Sequence, residues 1–158
     1  MVADDQRWVL LAYRLPREPS SPRIAVWRKL KRLGVAQLLD GLVALPLDSR
    51  NREQLEWIAD EILEADGEAA VWLGELPSQA QERELVVAMR AQVAADYDRV
   101  RADAEAVGDS PATRRRTLAR LRRELRRIRA RDYFPTVERD RAQAAVETLA
   151  ALVEEPIA

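Results

Sequence analysis

The chain of 158 residues has no cysteine and no histidine. The first absence removes a disulfide framework, a zinc finger and a thiol nucleophile together. The second removes the usual general base near neutral pH and the usual transition-metal ligand, and with it any Ser-His-Asp triad. Glycine is scarce, five residues with no two close together, so no loop of the phosphate-cradling kind is present. No apolar run approaches the length of about 18 residues that a membrane span needs. The opening Met1–Arg7 segment is acidic before it is basic and leads into no signal-peptide core. These exclusions point to a cytoplasmic, non-enzymatic protein with no cofactor, no metal and no membrane partner.

What is present is apolar residue and charge. Hydrophobic residues make up 47% of the chain, enough for a core without staples. The net charge of -1 conceals a block arrangement. Residues 1–34 carry eight basic against three acidic side chains, and residues 35–76 carry two against ten. Residues 109–134 carry ten arginines against three acids. Local fields of this kind, not the total, decide which partners are attracted.

Residues 1–76 are expected to form a ferredoxin-like βαββαβ domain of the α+β class, and residues 77–158 an extension of three helices. Trp8–Tyr13 has the near-continuous apolarity of a central strand. Ser21-Pro22 signals a helix start, and Gly34 stands where a left-handed C-cap belongs. Ile24, Val26, Trp27, Leu30 and Leu33 form the stripe between them. Asp40-Gly41 separates the apolar runs 35–39 and 42–47, which predicts an antiparallel hairpin with a type I′ turn, both central residues at positive φ. Asp48 or Ser49 caps a second helix, and 69–73 forms the fourth strand. Both crossovers are right-handed by rule, which puts the two helices on one sheet face and leaves the other to a partner subunit or the tail. Trp8, Trp27, Trp57 and Trp72 supply one large apolar residue to each of four elements, a pattern that predicts core anchors.

In the rear part, a helix is expected from Pro77-Ser78 to near Val107 and another from Pro111 to near Ala130. The second is unusual. Leu118, Leu121, Leu125 and Ile128 give a narrow stripe, and nearly all the remaining circumference is arginine. Like charges spaced i,i+4 destabilise a helix by about 0.2–0.5 kcal/mol per pair, so an anionic neighbour is called for. It could be acidic segments of the chain or its partner, or phosphates. A thin apolar face without aromatics argues against a membrane surface. The acids of the second helix, Glu53, Glu56, Asp60, Glu61 and Glu64, read as solvated surface.

The stretch from Trp8 through Pro16-Arg17-Glu18-Pro19-Ser20, and then Pro22-Arg23-Ile24-Ala25-Val26-Trp27-Arg28-Lys29-Leu30-Lys31-Arg32-Leu33-Gly34, resembles the N-terminal domain of the chromate-resistance regulator ChrB. The likeness continues through Asp40-Gly41, 52–57 and 68–72 to Asp132-Tyr133-Phe134-Pro135. It implies a transcriptional regulator whose N-terminal part binds DNA, with Arg23, Arg28, Lys29, Lys31 and Arg32 matching the family's positive stretch. Together with Arg115, Arg116, Arg122, Arg123, Arg126 and Arg127 of the arginine helix, these are the expected nucleic-acid contacts. Double-stranded DNA is the expected ligand and a homodimer the expected assembly. Family members carry a second domain linked to the chromate response. This sequence ends at Ala158 without it, so direct chromate sensing is not expected. The architecture is also similar to PaaX-type repressors and to CRISPR-associated metal nucleases that use an acid at the end of the first strand. Tyr13 and Arg14 stand there instead, so that activity is not carried over. An interaction module that docks its arginine helix on acidic surfaces is the first alternative, and a metal-dependent nuclease the second.

Overall fold

The computed structural model describes residues 6–155. It is a mixed α+β chain whose contacts fall into two compact units, residues 1–88 and 89–158. The Met1–Arg7 reading made above lies largely outside the described residues.

The first unit holds β1 (Trp8–Arg14), α1 (Ser21–Leu33), β2 (Ala36–Leu39), β3 (Leu42–Pro46), α2 (Ser49–Glu64), β4 (Glu68–Gly74) and the start of α3 (Gln79–Glu105). The four strands form one antiparallel sheet in the order β2-β3-β1-β4. Side chains alternate across such a sheet. Val9, Leu11, Val43 and Leu45 are fully buried and form a core with Val26 and Leu30 of α1 and Leu55, Ile58 and Ile62 of α2. Each such Val, Leu or Ile contributes about 1.5–3 kcal/mol relative to exposure.

The punctuation of α1 is close to the expectation. Gly34 takes φ 76°, which a side-chain-bearing residue resists, and its N–H closes the helix on the carbonyls of Leu30 and Lys31. Ser20, not Ser21, is the N-cap, and its hydroxyl makes no capping bond, so Pro22 and the backbone alone define the start. At α2 the Asp48 carboxylate does cap, accepting from the Asn51 N–H at 2.6 Å. The buried Asn51 then donates through Nδ2 to the Pro46 carbonyl at 2.9 Å, tying helix start to strand end.

Two expectations are overturned here. Asp40 and Gly41 do not adopt the left-handed backbone, so the hairpin turn is not type I′. A register shift between Gln37 and Leu39 re-aims β2 instead. Gly41 is needed for a different reason: a Cβ there would lie 2.4 Å from the Tyr13 carbonyl oxygen. The tryptophans are also not four core anchors. Trp8 is 1% exposed and donates its indole N–H to Glu82 at 3.3 Å, but Trp27, Trp57 and Trp72 are 39%, 57% and 62% exposed. Ile24, placed on the α1 stripe by periodicity, is exposed as well, and so are Leu63 and Leu152 at apolar helical positions. Helical spacing puts those on the helices at the border of the apolar stripe, where the neighbouring layer ends, whereas Trp72 stands on the edge strand β4.

The second unit contains the rest of α3, then α4 (Pro111–Ala130) and α5 (Val137–Glu154). Ser110 caps α4 by accepting from the Thr113 N–H, ahead of Pro111. Thr136 caps α5 in the same way through the Arg139 N–H. Val93, Tyr97 and Val100 of α3, Leu118, Leu121, Leu125 and Ile128 of α4, and Ala142, Val146 and Leu149 of α5 make one three-helix core. Its polar plug is Tyr97, whose hydroxyl donates to Asp132 at 2.8 Å. Burial first, and then the Asp132 hydrogen bond and charge, push the Tyr97 phenol far above its ordinary value. Arg131 reaches Asp96 at 2.8 Å and closes the α4 end onto α3.

Candidate nucleic-acid interface

The predicted contacts occupy two helices, one in each unit. On α4 the apolar stripe is fully seated, which leaves the arginines on the remaining surface. They separate into engaged and unengaged sets. Arg114 is half-buried and holds Asp109 at 3.1 Å and the Gly108 carbonyl at 3.0 Å. Arg120 reaches Asp103 of α3 at 3.2 Å, and Arg127 pairs with Glu124 at 3.3 Å on its own helix. Arg116 donates only to the Thr113 hydroxyl at 3.4 Å. Arg115, Arg122, Arg123 and Arg126 are exposed and make no hydrogen bond or ion pair among the described residues.

The helical period sorts these positions. At about 100° per residue, Arg115, Arg122 and Arg126 fall within about 40° of one another, a ridge about 16 Å long. Arg120, which does find a carboxylate, points to another side, toward α3. Unpaired guanidinium groups are therefore gathered on one flank of α4 and the paired ones are mostly off it. The cause is local composition: α4 contains one acid, Glu124, and its position serves Arg127.

On α1, Val26 and Leu30 face the core and the cations take the outer side. Lys29 reaches Glu61 of α2 at 2.5 Å. Lys31 sits over the Trp27 ring, 5.4 Å from its centroid. Arg23, Arg28 and Arg32 are exposed and make no hydrogen bond or ion pair among the described residues.

A groove that sequence reasoning did not find lies beside α1. Its volume is about 620 Å³, and it is lined by Tyr13, Arg14, Leu15 and Arg17 at the end of β1, Arg23, Ile24 and Trp27 of α1, and Gln37, Asp40 and Gly41 of the hairpin. The Tyr13 N–H donates to the Gly41 carbonyl at 2.8 Å, which fixes the hairpin against the strand end. Burial, and secondarily the Asp40 charge, raise the Tyr13 phenol above its ordinary value, so it stays protonated and can donate. Arg14 is already paired with Glu68 at 2.6 Å, whereas Arg17 and Arg23 have no such partner among the described residues. The sequence signal was the spacing Arg23, Trp27, Lys31, an aromatic with a cation one turn to either side, which periodicity alone assigns to packing. A smaller cleft of about 330 Å³ on the other flank of α1 is lined by Lys29, Arg32, Trp57 and Glu61, among others.

Among the described residues no three acids gather in a way that could hold a metal ion, and no helix is long and apolar enough to cross a membrane.

Comparison with known proteins gives two matches. A model of the family described as "Protein ChrB, N-terminal" matches residues 23–109. Protein ChrB of Cupriavidus metallidurans is 29% identical over 147 residues, which cover 86% of this chain and 43% of the relative. The chain thus spans less than half the length of that protein. No solved structure matches.

Proposed function

The chain belongs to the family of the ChrB N-terminal domain, and from that premise we propose that it is a non-enzymatic, DNA-binding regulatory module acting on chromate-resistance genes. The observation that carries the proposal is the ridge of unpaired arginines on α4, in a chain with 27 acidic side chains that could have neutralised it. The guanidinium ridge and the α1 cations suit phosphates, which supply most of the affinity of sequence-independent DNA contact. In this reading Arg115, Arg122, Arg123 and Arg126, with Arg23, Arg28 and Arg32, meet the duplex backbone. Lys29 and Arg127 contribute less because each holds a carboxylate.

Two further assignments accompany it. The strand order supports a ferredoxin-like arrangement of the first unit. The exposed Trp72, on an edge strand with no charge between Ala69 and Gly74, supports a homodimer that pairs and covers this edge.

A salt titration tests the main claim. Duplex binding should fall by about 10³–10⁵-fold between about 50 and 200 mM salt if six to ten side chains meet phosphates. Absence of binding at the lower salt, with the protein folded, rejects the proposal. The second reading, an interaction module that docks on acidic protein surfaces, is favoured by the Arg120–Asp103 and Arg114–Asp109 pairs, since α4 arginines already take carboxylates at those points.

A further inference from the structure

The groove beside α1 differs chemically from a phosphate-contacting surface. It combines an exposed aromatic plane, Trp27, with an acceptor at Asp40, a phenol donor at Tyr13 and two unpaired cations, Arg17 and Arg23. Duplex backbone contact needs only the last two. Its volume of about 620 Å³ lies in the range of small-ligand sites, about 300–1,000 Å³.

We propose that this groove holds one unpaired nucleotide of single-stranded DNA, its base on Trp27 and its phosphate between Arg17 and Arg23. This extends the DNA-binding reading and rests on it. The occupant follows from charge and shape together. A base has a flat π-face that stacks on an indole irrespective of sequence, and its phosphate supplies the charge that Arg17 and Arg23 lack. An acidic peptide would satisfy the cations but would leave the indole wet and offer its side-chain carboxylates, which cannot donate, to Asp40. Asp40 instead matches the exocyclic amine of a base, with cytosine N4 as the usual donor to a carboxylate. Lys31, over Trp27 on a flexible stem, moves from the ring to the adjoining phosphate when the base arrives. A duplex keeps its bases stacked on one another and cannot offer this face, so the groove distinguishes melted from paired DNA.

The test uses the full chain and a mixed-sequence oligonucleotide of about 12 residues, alone and annealed to its complement, spanning the site sizes typical of single-strand binders. Binding is read by anisotropy of the labelled DNA, and folding by thermal melting. Trp27→Leu should weaken single-strand binding by about 5- to 150-fold, the usual loss of one stacked base, and change duplex binding by less than about 2-fold. Trp27→Phe should recover most of the loss. Oligodeoxycytidylate should bind more tightly than oligothymidylate, and Asp40→Ala should remove that preference. An unchanged single-strand affinity in a folded Trp27→Leu variant, or an equal loss for the duplex, overturns the groove assignment while leaving duplex binding standing. Binding of neither form by the wild-type chain overturns both.

Discussion

Arg122 and Arg126 lie one turn apart on α4, both exposed and both without a carboxylate. Replacing both with glutamine therefore separates two roles that the same side chains could have. In the free protein the pair repels itself, and relief of one i,i+4 like-charge contact is worth about 0.2–0.5 kcal/mol at low salt. Shorter glutamine stems give back part of this by covering less apolar surface. The double variant should melt within about 0.5 kcal/mol of the parent, on the stable side at low ionic strength. On DNA, two lost phosphate contacts reduce the slope of log K against log salt by about 2, since each contributes about 0.9. Over the fourfold range from about 50 to 200 mM salt, the variant should lose about 10-fold less affinity than the parent. Anisotropy on a duplex at three salt concentrations, with melting by circular dichroism in the same buffers, gives both quantities. An unchanged salt slope means the ridge does not meet phosphates. A loss of more than about 1 kcal/mol in melting means these arginines are engaged by protein, and the docking module is then the correct reading.

The remaining predictions concern the scaffold. Tyr97 has a raised folded-state value and ionises near pH 10 when unfolded, so its contribution is complete below pH 10 and is lost as the pH climbs beyond it. Tyr97→Phe should lose about 1–3 kcal/mol at neutral pH, from the broken bond to Asp132, yet show a flatter decline in stability in alkaline denaturation titrations. Asp48→Ala should cost about 0.5–2 kcal/mol in urea melts by releasing the α2 cap. Gly41→Ala places a Cβ against the Tyr13 carbonyl and should destabilise the hairpin, visible as loss of amide protection in β2 and β3. Parent-like protection there would mean that the hairpin gives way without strain.

The sequence carried the element order well because its punctuation is strong. Gly34, Asp48 and Ser110-Pro111 each act through local backbone geometry, which needs no tertiary information. The failures share a cause. Trp27 and Trp57 lie at the edges of helical stripes and Trp72 on an edge strand, and whether an edge is covered depends on where the adjacent layer stops. The hairpin turn was misassigned because Asp-Gly reports a tendency, while the shift in β2 and the close approach of Gly41 to Tyr13 are set by the sheet. The arginine helix was visible as composition, but which guanidinium groups stay unpaired depends on Asp103, on a different helix. The groove joins residues from the end of β1, α1 and the hairpin, a convergence that no single segment reveals.

Helix α3 runs without a break from Gln79 to Glu105, across the point at Ala88 and Met89 where the chain's contacts divide. Anyone dissecting the protein by truncation has to reckon with that continuity. A fragment cut at the division would strip four carbonyls or four N–H groups of their helical partners in the middle of a rod that has no capping residue there. Cleaner pieces begin at Ser78, whose hydroxyl already accepts the Gln81 N–H, and keep the whole helix with the rear bundle. The front piece then loses Glu82 and, with it, the hydrogen bond to the Trp8 indole, so its weaker fluorescence or melting would report an artefact of cutting and not a property of the intact sheet.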